Sequence, residues 1–140
     1  MSEALNLSDF PLHAHDTLRY ADTDRQGHVN NAVFSTFFET GRVQFLYDPE
    51  RPLIEPGFAF VIASLYIDFL SEVTWPGTVS IGTRVAGIGR SSLKLEQGLF
   101  QDTTCAATAK SVIVLVNEAT RRSHPFDTDT IERLSALTAP

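Results

Sequence analysis

Asn30-Asn-Ala-Val-Phe-Ser-Thr-Phe-Phe-Glu-Thr-Gly-Arg-Val-Gln-Phe-Leu-Tyr47 carries the one long helical pattern in a chain of 140 residues. Val33, Phe34, Phe37, Phe38, Gly41 and Phe45 fall at three- and four-residue steps and cover about 140° of a helix surface. Asn30 or Asn31 is the expected N-cap, and the helix ends before Pro49. Gly41 in its middle costs about 1 kcal/mol relative to alanine, a loss that close packing against a sheet would offset. Pro49, Pro52, Pro56 and Gly57 mark the loop that follows.

On either side of this run the pattern is that of strands. Upstream, residues 1–12 read as a mobile lead-in and Asp16–Tyr20 as a short strand. Downstream, Phe58–Leu70 is β-branched and aromatic, and Trp75-Pro-Gly77 is a turn. Thr78–Ile88 alternates Val79, Ile81, Thr83 and Val85 against Ser80, Gly82, Arg84 and Ala86. After the Gly89-Arg-Ser91 turn, Leu93–Leu99 alternates again. Ala106–Val116 is apolar on both parities and is expected to be central and covered on both faces. Ile131–Leu137 fits a short terminal helix. One strand, one aromatic helix and four strands joined by short hairpin turns make an α+β domain with an antiparallel sheet. A single helix so rich in Phe must be covered, and a five-stranded sheet wrapped around it does so, leaving edges that oligomerisation would protect. The whole chain, 1–140, reads as a single domain with a core of about 16–125, a lead-in of 1–15 and a tail of 126–140.

Composition narrows the function. Eleven Lys and Arg against 17 Asp and Glu give a net charge of −6, which disfavours nucleic acid and anionic membranes as partners. Nine of the eleven cations are Arg, which suits a small phosphate-bearing ligand. A single cysteine, Cys105, excludes an internal disulfide and a cysteine-based zinc cluster, and reads as a buried inert thiol. No basic-then-apolar leader and no apolar run of membrane-spanning length is present, so the expected location is cytoplasmic.

The chemistry is concentrated in Asp22-Thr-Asp-Arg-Gln-Gly-His-Val-Asn-Asn31, a polar loop leading straight into the aromatic helix. A helix start offers unpaired N–H groups and the positive end of a dipole, which polarise a carbonyl and hold an oxyanion. A carboxylate beside it can attack that carbonyl or take a proton from water. Gly27 lets the backbone approach a ligand closely. Acyl transfer or hydrolysis fits this set, and so does a solvated loop closed by an Asx cap.

Asp24-x-x-Gly27-His28-Val29-Asn30-Asn31 before an aromatic helix resembles the hotdog-fold acyl-CoA thioesterases of the 4-hydroxybenzoyl-CoA thioesterase group. Its His-Val-Asn-Asn string is also similar to that of plant acyl-ACP thioesterases. Phe69-Leu-Ser-Glu-Val-Thr-Trp-Pro-Gly77 resembles the group's strand and Pro-Gly turn, and Gly89-Arg-Ser-Ser-Leu93 its Gly-Arg-Ser-Ser hairpin. The resemblance spans about residues 16–125. It implies a hotdog fold, an antiparallel sheet around a central helix, and a homodimer or homotetramer with sites between protomers. It also implies that the substrate is acyl-CoA, with coenzyme A part of the substrate and no metal or other cofactor.

On the same resemblance Asp24 is the catalytic carboxylate, acting as nucleophile or general base, and the Asn31 backbone N–H is the oxyanion donor. His28 and Asn30 help position the thioester or a water, and Gly27 lines the substrate. Arg90, with Ser91 and Ser92, is the expected contact for the phosphates of CoA across a subunit boundary, and Arg84, Arg121 and Arg122 are the reserves. Asp22, two residues away, reads as structural or as a support behind the reacting groups, since the family's position falls on Asp24. Glu39 and Arg42, three apart on the helix, read as a surface ion pair. His13, His15 and His124 have no metal-like spacing and are given no role. The rival readings are an acyl-ACP thioesterase, which needs a basic patch, a non-catalytic acyl-CoA-binding module, and a hydratase or dehydratase using Glu39.

Overall fold

In a computed structural model that describes residues 5–140, the aromatic run forms helix α1 (Asn31–Leu46). Asn30 is its N-cap, the side-chain oxygen accepting the Ala32 N–H at 3.0 Å. Strand β1 (Leu12–Thr17) precedes it. Strands β2 (Phe58–Phe69), β3 (Thr78–Ile88), β4 (Ser92–Gln101) and β5 (Thr104–Asn117) follow, and helix α2 (Thr128–Ser135) ends the order. The strands form one antiparallel sheet in the order β1-β3-β4-β5-β2.

Five expectations are corrected here. The first strand begins at Leu12 rather than Asp16. Tyr20–Asp22 is a 3-10 turn, because the Asp22 carboxylate accepts the Arg19 N–H and folds the chain back. The lead-in is not loose where it is described: Phe10 is buried against the outer face of the sheet, its ring over Gly82 and Gly98. Residues 1–4 of that lead-in lie outside the described residues. β2 and β3 form no hairpin, since β2 pairs with β5 at the far edge and the segment 70–77 crosses back to β3. β5 lies between β4 and β2, but beyond Ala106 only alternate residues, Ala107, Ala109, Ser111, Ile113 and Leu115, are buried, so along most of the strand one face is covered rather than two.

α1 lies on the inner face of the sheet, as its Phe content requires. Phe34, Phe37 and Phe38 pack with Val79, Ile81, Leu99 and Ala107 toward one end. Leu46 packs with Val85, Leu93, Leu95, Ile113 and the tail residues Phe126 and Leu134 toward the other. Between these two clusters β3, β4 and α1 each place a polar residue: Thr83, Gln97 and Arg42. Gln97 Nε2 donates to Thr83 Oγ1 and to the Phe38 carbonyl, both at 3.0 Å. Arg42 is only 7% exposed and donates to Gln97 Oε1 at 3.4 Å. The surface ion pair expected for Glu39 and Arg42 is therefore corrected: Arg42 turns inward while Glu39 stays exposed. Burial lowers the pKa of Arg42, opposed by the nearby Glu39 charge.

Candidate functional site

The polar loop ahead of α1 is built as a tight hairpin. Asp22, 2% exposed, anchors its start. Its Oδ2 accepts the Arg19 N–H at 2.9 Å, and its Oδ1 accepts Arg19 Nη2 at 2.8 Å and Nε at 3.1 Å. The Arg19 side chain holds the Asp22 carboxyl below the usual carboxylate range, against the opposing effect of burial. The Asp22 carbonyl accepts the Asn30 N–H at 2.8 Å and so fixes where α1 begins. Asp22 thus holds the loop and does not itself line the cleft described below.

Beyond it, the Asp24 N–H donates to the His28 carbonyl at 2.7 Å and the Gly27 N–H to the Asp24 carbonyl at 3.1 Å. Gly27 takes φ +83°, the left-handed region that suits glycine. The Asp24 side chain helps close the hairpin: Oδ1 accepts the N–H groups of Gln26 at 2.8 Å and His28 at 3.2 Å. The Asx cap and the candidate catalytic carboxylate are thus one residue. Oδ1 is held by the loop, and Oδ2 takes no bond among the described residues.

The hairpin is tied to the segment before β3. The Val29 N–H donates to the Val73 carbonyl at 2.8 Å, and His28 bridges Thr74. Asp24, His28, Asn30 and Asn31 thereby line one cleft of about 590 Å³, closed by Phe34, Phe69, Leu70, Ser71 and Glu72. Phe34 and Phe69 meet edge to face at 5.1 Å, an apolar wall beside polar groups. The Asn31 N–H opens α1 and has no partner among the described residues, so it is free to donate to a ligand.

Glu72 was not singled out in the sequence. Its Oε2 lies 3.0 Å from His28 Nε2. Only the pairing of Val29 with Val73 brings it there, and that contact leaves no local signal.

Other expected residues sit elsewhere. Arg90, Ser91 and Ser92 form the β3–β4 turn, held by the Phe126 N–H on the Arg90 carbonyl and the Leu115 N–H on the Ser91 carbonyl, both at 2.9 Å. The turn lies beyond the Ile88 end of β3 and the cleft toward its Thr78 end, so within one chain these residues do not line the Asp24 cleft. Arg121 and Arg122 follow β5 at the same end as Arg90 and are exposed. Arg84 is corrected as a free cation: its Nε donates to Glu96 Oε1 at 3.2 Å, and its guanidinium lies over the Phe10 ring. A larger hollow of about 880 Å³, lined by Phe10, Tyr66, Arg84, Glu96 and Lys110, lies on that outer face, away from Asp24. Cys105 is half-buried rather than buried, and burial raises its pKa. Among the described residues no group of His, Cys, Asp and Glu gathers as a metal site, and no helix is long and apolar enough to cross a membrane.

Residues 18–134 match the thioesterase-like superfamily. The chain is 28% identical over 102 residues to the acyl-CoA thioesterase YbgC of Haemophilus influenzae, covering 70% of this chain and 75% of the relative. A thioesterase from Thermus thermophilus, solved with coenzyme A and Zn, is 32% identical and superposes with a TM-score of 0.79, over 92% of this chain and 95% of that one. A Pseudomonas aeruginosa protein superposes with a TM-score of 0.86 over 98% of both chains at 24% identity, a likeness of fold. The five-stranded sheet around one long helix is the hotdog arrangement that the motifs implied.

Proposed function

The chain belongs to the thioesterase-like superfamily and is a thioester hydrolase, and from that premise we propose that it cleaves acyl-CoA to the free acid and CoA in the Asp24 cleft. The observation that carries this reading is the meeting of a carboxylate oxygen without a partner, Asp24 Oδ2, and an unpaired helix-start N–H, Asn31, on one cleft with an aromatic wall. The Asn31 N–H donates to the thioester oxygen as negative charge grows on it, and the positive end of the helix dipole adds to that stabilisation. Asp24 Oδ2 supplies the electron pair. It either bonds to the carbonyl carbon, expelling the CoA thiolate and leaving an anhydride for water to open, or takes the proton of a water that attacks in its place. Oδ1, fixed by two N–H groups, keeps the carboxylate aimed in both routes. Neither route calls on a resident metal or redox cofactor. His28 and Asn30 border the reacting groups, Gly27 shapes the turn and does not itself line the cleft, and Phe34 and Phe69 face the start of the acyl chain.

The site is completed by a second copy. Tyr66, Phe69 and Leu70 of the edge strand β2 and its end are 63%, 52% and 60% exposed, and Phe69 and Leu70 also line the cleft. An apolar edge of this kind invites strand pairing, and a homodimer or homotetramer covering it would close the cleft. A second copy would also bring an Arg90-Ser91-Ser92 turn to the CoA phosphates, which the chain's own turn does not approach. A screen of acyl-CoA esters, read by a thiol reagent, tests the reading. Release of CoA from at least one ester class at enzymatic turnover is expected. Binding of acyl-CoA with no thiol released would favour the non-catalytic module.

A further inference from the structure

α1 packs over β1, β3 and β4, and the edge strand β2 reaches past it. The register decides which β2 side chains share the face of α1. Phe69, Ile67, Leu65 and Ile62 pair with Ala107, Ala109, Ser111 and Ile113 of β5, whose side chains are buried on the inner face. The inner side of β2 is therefore an apolar strip that starts at the Asp24 cleft with Phe69. Leu65 and Ile62, farther along it, are exposed, so α1 does not fill the space in front of them. Two aromatic contacts close this gap at its ends: Phe34 with Phe69 at 5.1 Å beside the cleft, and Tyr47 with Phe60 at 5.8 Å where α1 finishes. Phe34 follows Asn31 by three residues, a rise of about 4.5 Å, so the first contact stands within one turn of the Asn31 N–H. An acyl chain leaving that N–H along α1 meets the two rings before it reaches the strip. Phe34 is buried with Phe38, Val73 and Ala107 and is fixed by the core. Phe69 is half-exposed on the edge strand, so its ring does less for the core than for the cleft it closes. Resting on the reading that the Asp24 cleft is the reaction site, we propose that Phe69, braced edge to face on Phe34, ends the acyl pocket and determines specificity. It admits acyl groups short enough to stop inside the cleft and excludes longer chains from the Ile67–Leu65–Ile62 strip beyond.

The test measures kcat/KM on acetyl-, butyryl-, hexanoyl-, decanoyl- and lauroyl-CoA for the wild type, Phe69→Ala, Phe69→Leu and Phe69→Trp. Each enzyme is read as its ratio of butyryl to decanoyl ester on one preparation, a quantity that does not depend on how much of the variant is folded. The wild-type ratio should be at least about tenfold, since even one methylene that a pocket has no room for costs that much. Phe69→Ala opens the cleft onto the strip and should lower the ratio by at least about tenfold, through a gain on the decanoyl and lauroyl esters. Phe69→Leu, which removes the ring but keeps an apolar wall, should fall between the two. Phe69→Trp should raise the ratio and move the cut-off down to the hexanoyl ester. A wild type that cleaves decanoyl-CoA as well as butyryl-CoA overturns the proposal, and so does a Phe69→Ala enzyme with the wild-type ratio. Failure of the reaction-site reading has a different mark, wild-type turnover in Asp24→Asn. A large loss in Asp24→Asn beside a flat chain-length profile would strike the Phe69 wall alone.

Discussion

Gly41→Ala sets two effects of opposite sign against each other at a point where the structure decides between them. In an open helix the change would stabilise by about 1 kcal/mol. Here α1 rests directly on β3 and β4, and a Cβ at Gly41 would lie 2.6 Å from Ile81 Cγ2 and 2.9 Å from Gln97 Nε2. Overpacking of this kind costs about 1–3 kcal/mol. Moving Gln97 also strains its bonds to Thr83 Oγ1 and the Phe38 carbonyl, each worth about 1 kcal/mol. The sum is a net destabilisation of about 1–3 kcal/mol, or a fall in Tm of roughly 3–10 °C for a chain of this size. Scanning calorimetry at one fixed protein concentration, to hold any assembly constant, reads it directly. A Tm that stays level or rises would refute the close approach of α1 to the sheet.

Three further outcomes follow from particular contacts. Because Arg19 lowers the pKa of Asp22, the Asp22 carboxylate contributes stability that is fully present above its unfolded value of about 3.9. That contribution is lost as pH falls through the lower folded value, so the gap in urea midpoint between wild type and Asp22→Asn should be full at neutral pH and close below about pH 4; a gap independent of pH would contradict the pair. Arg90→Ala should raise KM for acyl-CoA about 5- to 30-fold with kcat little changed, an effect that shrinks with salt. A truncated thioester without the nucleotide should not notice the change, and if it is impaired equally, Arg90 does not hold the phosphates. Finally, sedimentation at micromolar concentration should give a dimer or tetramer, and Tyr66→Lys with Phe69→Lys on β2 should shift it toward monomer; a wild-type monomer would remove the second copy from the account.

The elements that local patterning dictates were legible in the sequence. α1 was, because its aromatic spacing and its Asn30 cap are both short-range, and Gly41 already implied contact with a sheet. β3 was too, its alternation matching the buried Val79, Ile81, Thr83 and Val85. What the sequence hid was set by pairing at a distance. β2 joins β5 rather than β3, a choice written in register and not in any turn. β1 was read too late because the residue it buries near its start is the small Ala14, flanked by two histidines. Arg42 looked like surface because arginine usually is, and only the Thr83–Gln97 layer beneath it explains its burial. In the cleft, the composition of 22–31 marked the loop, and the structure brings Asp24, His28, Asn30 and Asn31 together as that stretch implied. Glu72 reaches the same cleft through Val73, which no spacing rule could relate to His28.

The central claim is that Asp24 Oδ2 does the chemistry while Asp22, two residues away, only holds the loop. It is tested most directly by kcat on one acyl-CoA ester for Asp24→Asn and Asp22→Asn, each measured on folded protein. The asparagine at position 24 keeps an oxygen for the Gln26 and His28 N–H groups, so the hairpin survives and only the charge is removed. The account predicts a loss of at least about 100-fold for Asp24→Asn, with Asp22→Asn keeping most of its turnover despite lower stability. Equal losses in the two variants, or an Asp24→Asn enzyme that retains most of its activity, would contradict it.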